Sequence, residues 1–295
     1  WYLHSEVGLL LNSTGQMADA LTVLWTAFKL AEADQEWARA ANELGDMAGL
    51  YRHIDLVKAL EFGDKTLSYR QKIGEPIPYT VTLGGRARTL YLQGKVQEAA
   101  LEFEKVRLEM LKIGLPAILT DGIVNIPVSV NVAAYRLCQY WLDLNQTNPA
   151  LDFSLTWLPH ATHGGKLSIA LHRLNIARAL QAHARHDEAC QLFNQAIEGL
   201  YLSDREEYLV EALLYRAAFF LAVGNLSQAQ LDLDTVELFP DFSERRTLRC
   251  DCLLLSAQVA AQRGDVDQAR RCREEARALI VISGYYLREK DCLLV

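Results

Sequence analysis

The feature that most constrains this chain is a turn glycine set between two amphipathic, alanine-rich runs, because it recurs. It stands at Gly94 in LYLQGKVQEAALEF, at Gly224 in FLAVGNLSQAQLDL and at Gly264 in AAQRGDVDQARRCR, and Gly15 in LLNSTGQMADALTVL opens a further copy. Each copy reads as helix, tight turn, helix, since a short interhelical turn needs a backbone conformation that a side chain resists and glycine adopts. Counted from the turn, a small residue recurs seven places before it (Gly8, Ala87, Ala217, Ala257) and five places after it (Ala20, Ala99, Ala229, Ala269). A larger apolar residue stands four places before (Leu11, Leu90, Phe220) and nine after (Leu24, Phe103, Leu233), with Ala260 and Arg273 as the exceptions. Spacings of three, four and seven put these positions on one face of each helix, where small residues let two helices approach and larger ones fill the remaining gap.

Three weaker copies fit the same template. Ala184 takes the turn position between Leu180 and Ala189, and Asn145 takes it between Trp141 and Ala150. In the second copy Gly45 and Ala48 place the turn near Arg52 while Ala59 and Thr66 place it near Ile54, so about two residues are inserted. The turns then fall near 15, 53, 94, 145, 184, 224 and 264, a period of about 40 residues. One step is longer, and it covers LKIGLPAILTDGIVNIPVSVNV from Leu111 to Val132; Pro116 and Pro127 predict a loop or kinked helix there. This segment reads either as a plain insertion or as a loop that reaches the binding face.

The order small, large apolar, Gly, Ala, aromatic or Leu, Ala resembles the tetratricopeptide repeat over nearly the whole chain. The resemblance implies an all-α, right-handed α-solenoid superhelix of about seven helix-turn-helix repeats, treated as a single solenoid over 1–295. The repeats fall near 1–36, 37–76, 77–115, 128–164, 166–204, 206–242 and 244–283, with an insertion at 111–132 and a terminal helix at 284–295. A unit longer than 34 residues resembles the sensor arrays of STAND-type signalling ATPases, kinesin light chains and bacterial peptide-pheromone receptors. The closing GYYLREKDCLLV is similar to the ends of repeat arrays attached to nucleotide-binding switch domains.

Composition narrows the function. A net charge of −7 with no basic run argues against direct nucleic-acid binding, and no apolar stretch is long enough to span a membrane. The six cysteines are scattered along helical stretches, which fits a reducing, cytoplasmic setting. The chain starts at Trp1 inside a helical pattern, so it reads as a piece of a longer polypeptide. Catalytic and metal motifs are missing: His160 and His163 precede Gly164 and Gly165 with no completing carboxylate or thiol, and Cys250 with Cys252 lacks the CxxC spacing. No enzymatic activity, no cofactor and no metal are expected.

Helical-repeat arrays bind on the concave face lined by the first helix of each repeat. The first-helix positions that packing leaves pointing inward lie ten and six places before each turn. They hold Asn42 and Asp46, Gly84 and Arg88, and Tyr135 and Gln139 in repeats two to four, and Leu174, with its neighbour Asn175, and Arg178 in repeat five. Asn both donates and accepts and Arg offers paired donors, so a peptide backbone or terminal carboxylate suits them. The family's two-carboxylate clamp is not reproduced, since the first repeat offers Ser5 and Leu9 at these places. The expectation is a non-catalytic sensor or regulatory segment of a larger signalling protein, with a protein or peptide partner or a small-molecule inducer. The alternative is a scaffold or oligomerisation module without a sensing role, self-associating through the ends of the array.

Overall fold

The computed structural model describes residues 2–112, 128–161, 164–203 and 205–293. Among them the chain is all-α, a succession of helix pairs. The first three pairs are α1 (Tyr2–Ser13) with α2 (Met17–Ala33), α3 (Trp37–Ile54) with α4 (Leu56–Ile73), and α5 (Pro76–Leu92) with α6 (Val96–Lys112). Four more follow: α7 (Val128–Asp143) with α8 (Thr147–Ala161), α9 (Gly165–Ala182) with α10 (His186–Tyr201), α11 (Glu206–Ala222) with α12 (Leu226–Glu237), and α13 (Arg246–Gln262) with α14 (Val266–Ser283). A 3-10 helix, Tyr286–Cys292, comes last. Most of the proline-bearing insertion, residues 113–127, lies outside the described residues, as does His163. No helix among the described residues is long and apolar enough to cross a membrane.

The recurring turn has a definite hydrogen-bond pattern. At Gly94, with φ +76°, the amide of Gly94 donates to Tyr91 O at 2.9 Å and that of Lys95 reaches back to Leu90 O at 3.0 Å. These two bonds, closed through one left-handed residue, satisfy carbonyls that a helix end otherwise leaves orphaned. The same pair forms at Gly15, Asn145, Ala184, Gly224 and Gly264. Ala184 holds φ +57° in spite of its Cβ. The second repeat is built differently: α3 runs to Ile54 and meets α4 directly at extended Asp55, whose carboxylate caps α4 by accepting from the amides of Val57 and Lys58 at 3.0 and 3.1 Å. That direct joint absorbs the two extra residues seen in the sequence.

The periodic small residues lie in the buried faces between helices. Ala20, Ala99, Ala150, Ala189, Ala229 and Ala269 are all buried, and a Cβ on Gly8 would lie 2.8 Å from the Leu24 side chain. The larger residues Leu24, Phe103, Phe193 and Leu233 fill the core beside them.

The helices gather into two compact units, Trp1–Glu102 with Leu233–Val295, and Phe103–Asp232. In the first, the C-terminal elements return to the N-terminal ones: Arg246 Nη1 donates to Ile54 O at 3.3 Å, and Cys250, Leu254, Ile280 and Tyr285 share a core with Leu56 and Leu92. In the second, α9 packs on both α7 and α8, and stacked Phe103 and Tyr140 sit 4.4 Å apart.

Candidate functional site

In the unit Phe103–Asp232 the first helices α7, α9 and α11 bring a set of polar side chains together. Glu211 of α11 is the hub. Its carboxylate accepts from Tyr135 Oη at 3.0 Å, from Gln139 Nε2 at 2.9 Å and from Arg136 Nη1 at 3.3 Å. Gln139 Nε2 also lies 2.7 Å from Tyr135 Oη and 3.1 Å from Tyr215 Oη, while its Oε1 accepts from Arg136 at 2.9 Å. The Arg136 guanidinium stands over the rings of Tyr135 and Tyr208, 5.3 Å from each.

Arg178 of α9 extends this cluster. It donates through Nη2 to Asp143 Oδ1 at 2.6 Å, and its guanidinium lies 4.0 Å from the centre of the Tyr215 ring. Burial alone would lower the Arg178 pKa, but Tyr215 and Asp143 together hold it above the ordinary value, so the group stays charged. Burial, reinforced by Glu211, pushes the Tyr135 hydroxyl well up, so it stays protonated as a donor. One helical turn before Arg178, Asn175 donates through Nδ2 to the backbone carbonyl of Tyr135 at 3.1 Å.

Two buried atoms of this set have no hydrogen-bond partner, Asn175 Oδ1 and Arg178 Nη1. An unmade hydrogen bond at a buried polar atom costs about 1–3 kcal/mol, so such atoms are where a ligand group gains most. One is an acceptor and the other a donor, and they sit three residues apart on the same helix. The side chains of Arg178, Asp143 and Glu211 keep 15, 19 and 12% exposure, so the cluster reaches the surface there.

Of the seven residues singled out in the sequence, Tyr135, Gln139, Asn175 and Arg178 meet in this cluster, and the other three belong to the other unit. Asn42 and Asp46 are exposed on α3 and turned toward α4, where Asn42 accepts from the buried Arg70. Arg88 is buried on α5, 5.7 Å from the Tyr91 ring, and its charge acts on Asp251 and Tyr285. Asp251 accepts from Tyr285 Oη at 3.0 Å and from Arg288 Nε at 2.7 Å, so Arg88 borders a network made by the returning C-terminal segment.

Arg136, Asp143, Glu211 and Tyr215 are cluster members that counting ten and six places before each turn misses. Arg136, Asn175 and Tyr215 all stand nine places before their turn residues, Asn145, Ala184 and Gly224. Comparing that column across repeats would have exposed the stripe. Asp143 and Glu211 sit in other columns, and their role is visible only in three dimensions.

The remaining chemistry-bearing groups sit apart from this cluster. Burial pushes the thiols of Cys138 and Cys252 up to about 12, which leaves them protonated and poorly nucleophilic. His172 is fully buried against Trp157, both ring nitrogens lack partners, and burial pushes its pKa down to about 3. No group of His, Cys, Asp and Glu able to hold a metal ion occurs among the described residues.

No known family model matches the sequence, and no curated protein matches it. Solved structures do match. A tetratricopeptide repeat protein from Parabacteroides merdae ATCC 43184 is 16% identical with a TM-score of 0.51, covering 99% of this chain and 98% of that one. A Rap protein complexed with Competence and Sporulation Factor is 14% identical with a TM-score of 0.69, covering 95% of this chain and 76% of that one. The Rap conjugation gene regulator of plasmid pLS20, in complex with the Phr* peptide, is also 14% identical, with a TM-score of 0.67 and coverage of 98% and 74%. At such identities the likeness concerns the fold, which is a helical repeat of the tetratricopeptide type.

Proposed function

We propose that the chain is a non-catalytic, peptide-binding repeat domain that seats an extended polypeptide segment against α9, at Asn175 and Arg178. The observation that carries this reading is the pair of buried, unpartnered atoms: an acceptor, Asn175 Oδ1, and a donor, Arg178 Nη1, on one helix. A peptide backbone offers N–H and C=O groups in alternation, which is the complement of that pair. The charges around it are balanced, with Arg136 facing Glu211 and Arg178 facing Asp143. A neutral backbone amide therefore fits better than a free terminal carboxylate, which would call for an excess of cations. The similar Rap conjugation gene regulator in complex with the Phr* peptide supports this reading, as does the Rap protein complexed with Competence and Sporulation Factor. A regulatory role, in which the bound peptide reports a state to a larger protein, is the corresponding reading at the level of the cell.

The test is selection of random peptides, displayed internally so that neither end is free, on the intact chain. Affinities are then measured by fluorescence anisotropy for the wild type, Asn175→Ala and Arg178→Ala. The reading expects at least a tenfold loss in each variant at unchanged helicity. Selected peptides that bind both variants as well as the wild type would refute it.

A further inference from the structure

Repeat arrays are held together by contacts between neighbouring repeats, so a contact between repeats far apart in the chain is an addition to that architecture. In the unit Trp1–Glu102 with Leu233–Val295, such contacts recur at three consecutive repeats. At the turn of the first, a Cβ on Gly15 would meet Pro240 Cβ at 2.7 Å, and Met17 N donates to Asp241 Oδ2 at 3.4 Å. Asp241 thereby caps α2, which receives no capping bond from the side chain of its own Gln16. At the joint of the second, Arg246 donates to Ile54 O, Thr247 Oγ1 lies 3.5 Å from His53 Nδ1, and a Cβ on Gly284 would touch Leu56 Cβ at 3.8 Å. At the turn of the third, a Cβ on Gly94 would lie 3.5 Å from Tyr286 and Leu287. The last repeat thus meets the turns or joints of three successive repeats, across 224 residues at Met17 and 192 at Arg246.

The two kinds of contact differ in strength. Neighbouring repeats one and two share a broad buried core that includes Leu24, Phe28, Leu44 and Met47. The distant contacts are polar bonds at helix ends, 3.3–3.5 Å long and so at the weak end of hydrogen-bond geometry. One apolar cluster joins them, in which two buried residues, Leu56 and Leu92, meet Cys250, Leu254, Ile280 and Tyr285. The closing 3-10 helix has no buried residue, and seven residues is long for that geometry. Left-handed residues flank α13 and α14 on both sides, Asp241 at φ +54° and Gly284 at φ +75°.

We propose that α13, α14 and the 3-10 helix form a latch over repeats one to three. In the latched state they cover Leu56, Leu92 and the inward position of the third repeat, Arg88, which is buried. In the open state the contacts between neighbouring repeats persist, and Arg88 becomes accessible. The tethers release together because α13 and α14 pack as one helix pair and carry the 3-10 helix with them. The latch is an autoinhibitory contact, since it withholds the Arg88 position from a ligand until it opens. It concerns this unit alone and does not depend on the peptide site at Asn175 and Arg178.

Hydrogen exchange of the intact chain, read by mass spectrometry, tests the latch through Asp241→Ala/Arg246→Ala. Exchange should speed up at least about tenfold at Met17–Ala20, whose cap is lost, and equally at Tyr286–Cys292, where nothing was substituted. Ala40–Ala48, inside α3, should exchange at the wild-type rate, and helicity by circular dichroism should be unchanged. Labelling of Arg88 by phenylglyoxal should rise in the same variant. Asp241→Asn/Arg246→Lys keeps an acceptor and a donor at these places and should return both segments close to wild-type exchange. If the double alanine variant loses helicity, Arg246→Ala alone carries the same comparison. Faster exchange confined to Met17–Ala20 would overturn the proposal, because the tethers would then be independent caps. Faster exchange in Ala40–Ala48 as well would also overturn it, since the last repeat would then be integral to the fold of the first three. So would an Arg88 that stays unlabelled while Tyr286–Cys292 opens.

Discussion

Replacing Glu211 with alanine tests the polar cluster most directly, because three other side chains converge on this carboxylate. The substitution deprives Arg136, whose side chain is 8% exposed, of the carboxylate it pairs with, and removes an acceptor from Tyr135 and Gln139. Breaking a buried ion pair by removing one partner costs about 3–5 kcal/mol. Gln139 keeps its contacts with Tyr135 and Tyr215, and Glu211 is itself 12% exposed, so the lower end applies, about 3 kcal/mol. Glu211→Gln keeps the shape and an acceptor but loses the charge. It should cost about 1–2 kcal/mol, the difference between charge-assisted and neutral hydrogen bonds. Urea unfolding followed by tryptophan fluorescence reports on this unit, since Trp141 and Trp157 lie within it. A Glu211→Leu/Arg136→Met double variant should recover much of the loss, because a well-packed apolar pair often replaces a buried ion pair without penalty. A Glu211→Ala cost under about 1 kcal/mol, or a double variant less stable than the sum of the singles, would show that the cluster is solvated rather than cooperative.

Four further outcomes are expected. Ala99→Trp overpacks a fully buried helix crossing and should cost about 1–3 kcal/mol, read as a lowered melting temperature by circular dichroism. Ala184→Gly relieves a left-handed alanine at φ +57° and should stabilise the chain by about 0.5–1 kcal/mol in urea unfolding. Arg88→Glu sets a second acid beside Asp251 in a buried place and should destabilise the returning C-terminal segment by about 3 kcal/mol. Faster hydrogen exchange at Tyr285–Cys292 would read this out. His172 has a folded pKa of about 3, below its unfolded value, so its contribution is fully present above pH ~6.5 and is lost as pH falls from there toward 3. The loss approaches about 1.4 kcal/mol per pH unit, and His172→Phe should flatten the stability profile between roughly pH 6.5 and 4.5 relative to the wild type.

The fold was legible because its determinants are local and repeated. A left-handed turn residue, alanines at fixed offsets and a bulky residue between them are requirements of two helices crossing closely, and they leave the same trace in each repeat. Even the irregular second repeat showed as a conflict of register, which the direct joint at Asp55 resolves. The first-helix faces were legible in part. Counting from the turn reaches Tyr135, Gln139 and Arg178, and Asn175 only as the neighbour of Leu174, since helical periodicity gives the side of a helix but not the neighbours it meets. Which inward residues meet was not legible. Glu211 is separated from Gln139 by 72 residues, and the meeting depends on how far each repeat rotates against the next, a sum of side-chain volumes at every crossing. For the same reason Arg88 faces Asp251 of the returning C-terminal segment, and Asn42 faces Arg70 across its own helix pair. The sequence by itself thus determined the helices, their turns and their pairing. Only the tertiary structure decided which polar groups are satisfied by neighbours and which buried atoms, Asn175 Oδ1 and Arg178 Nη1 among them, have no hydrogen-bond partner, because hydrogen-bond satisfaction is a property of assembled surfaces and not of any single helix.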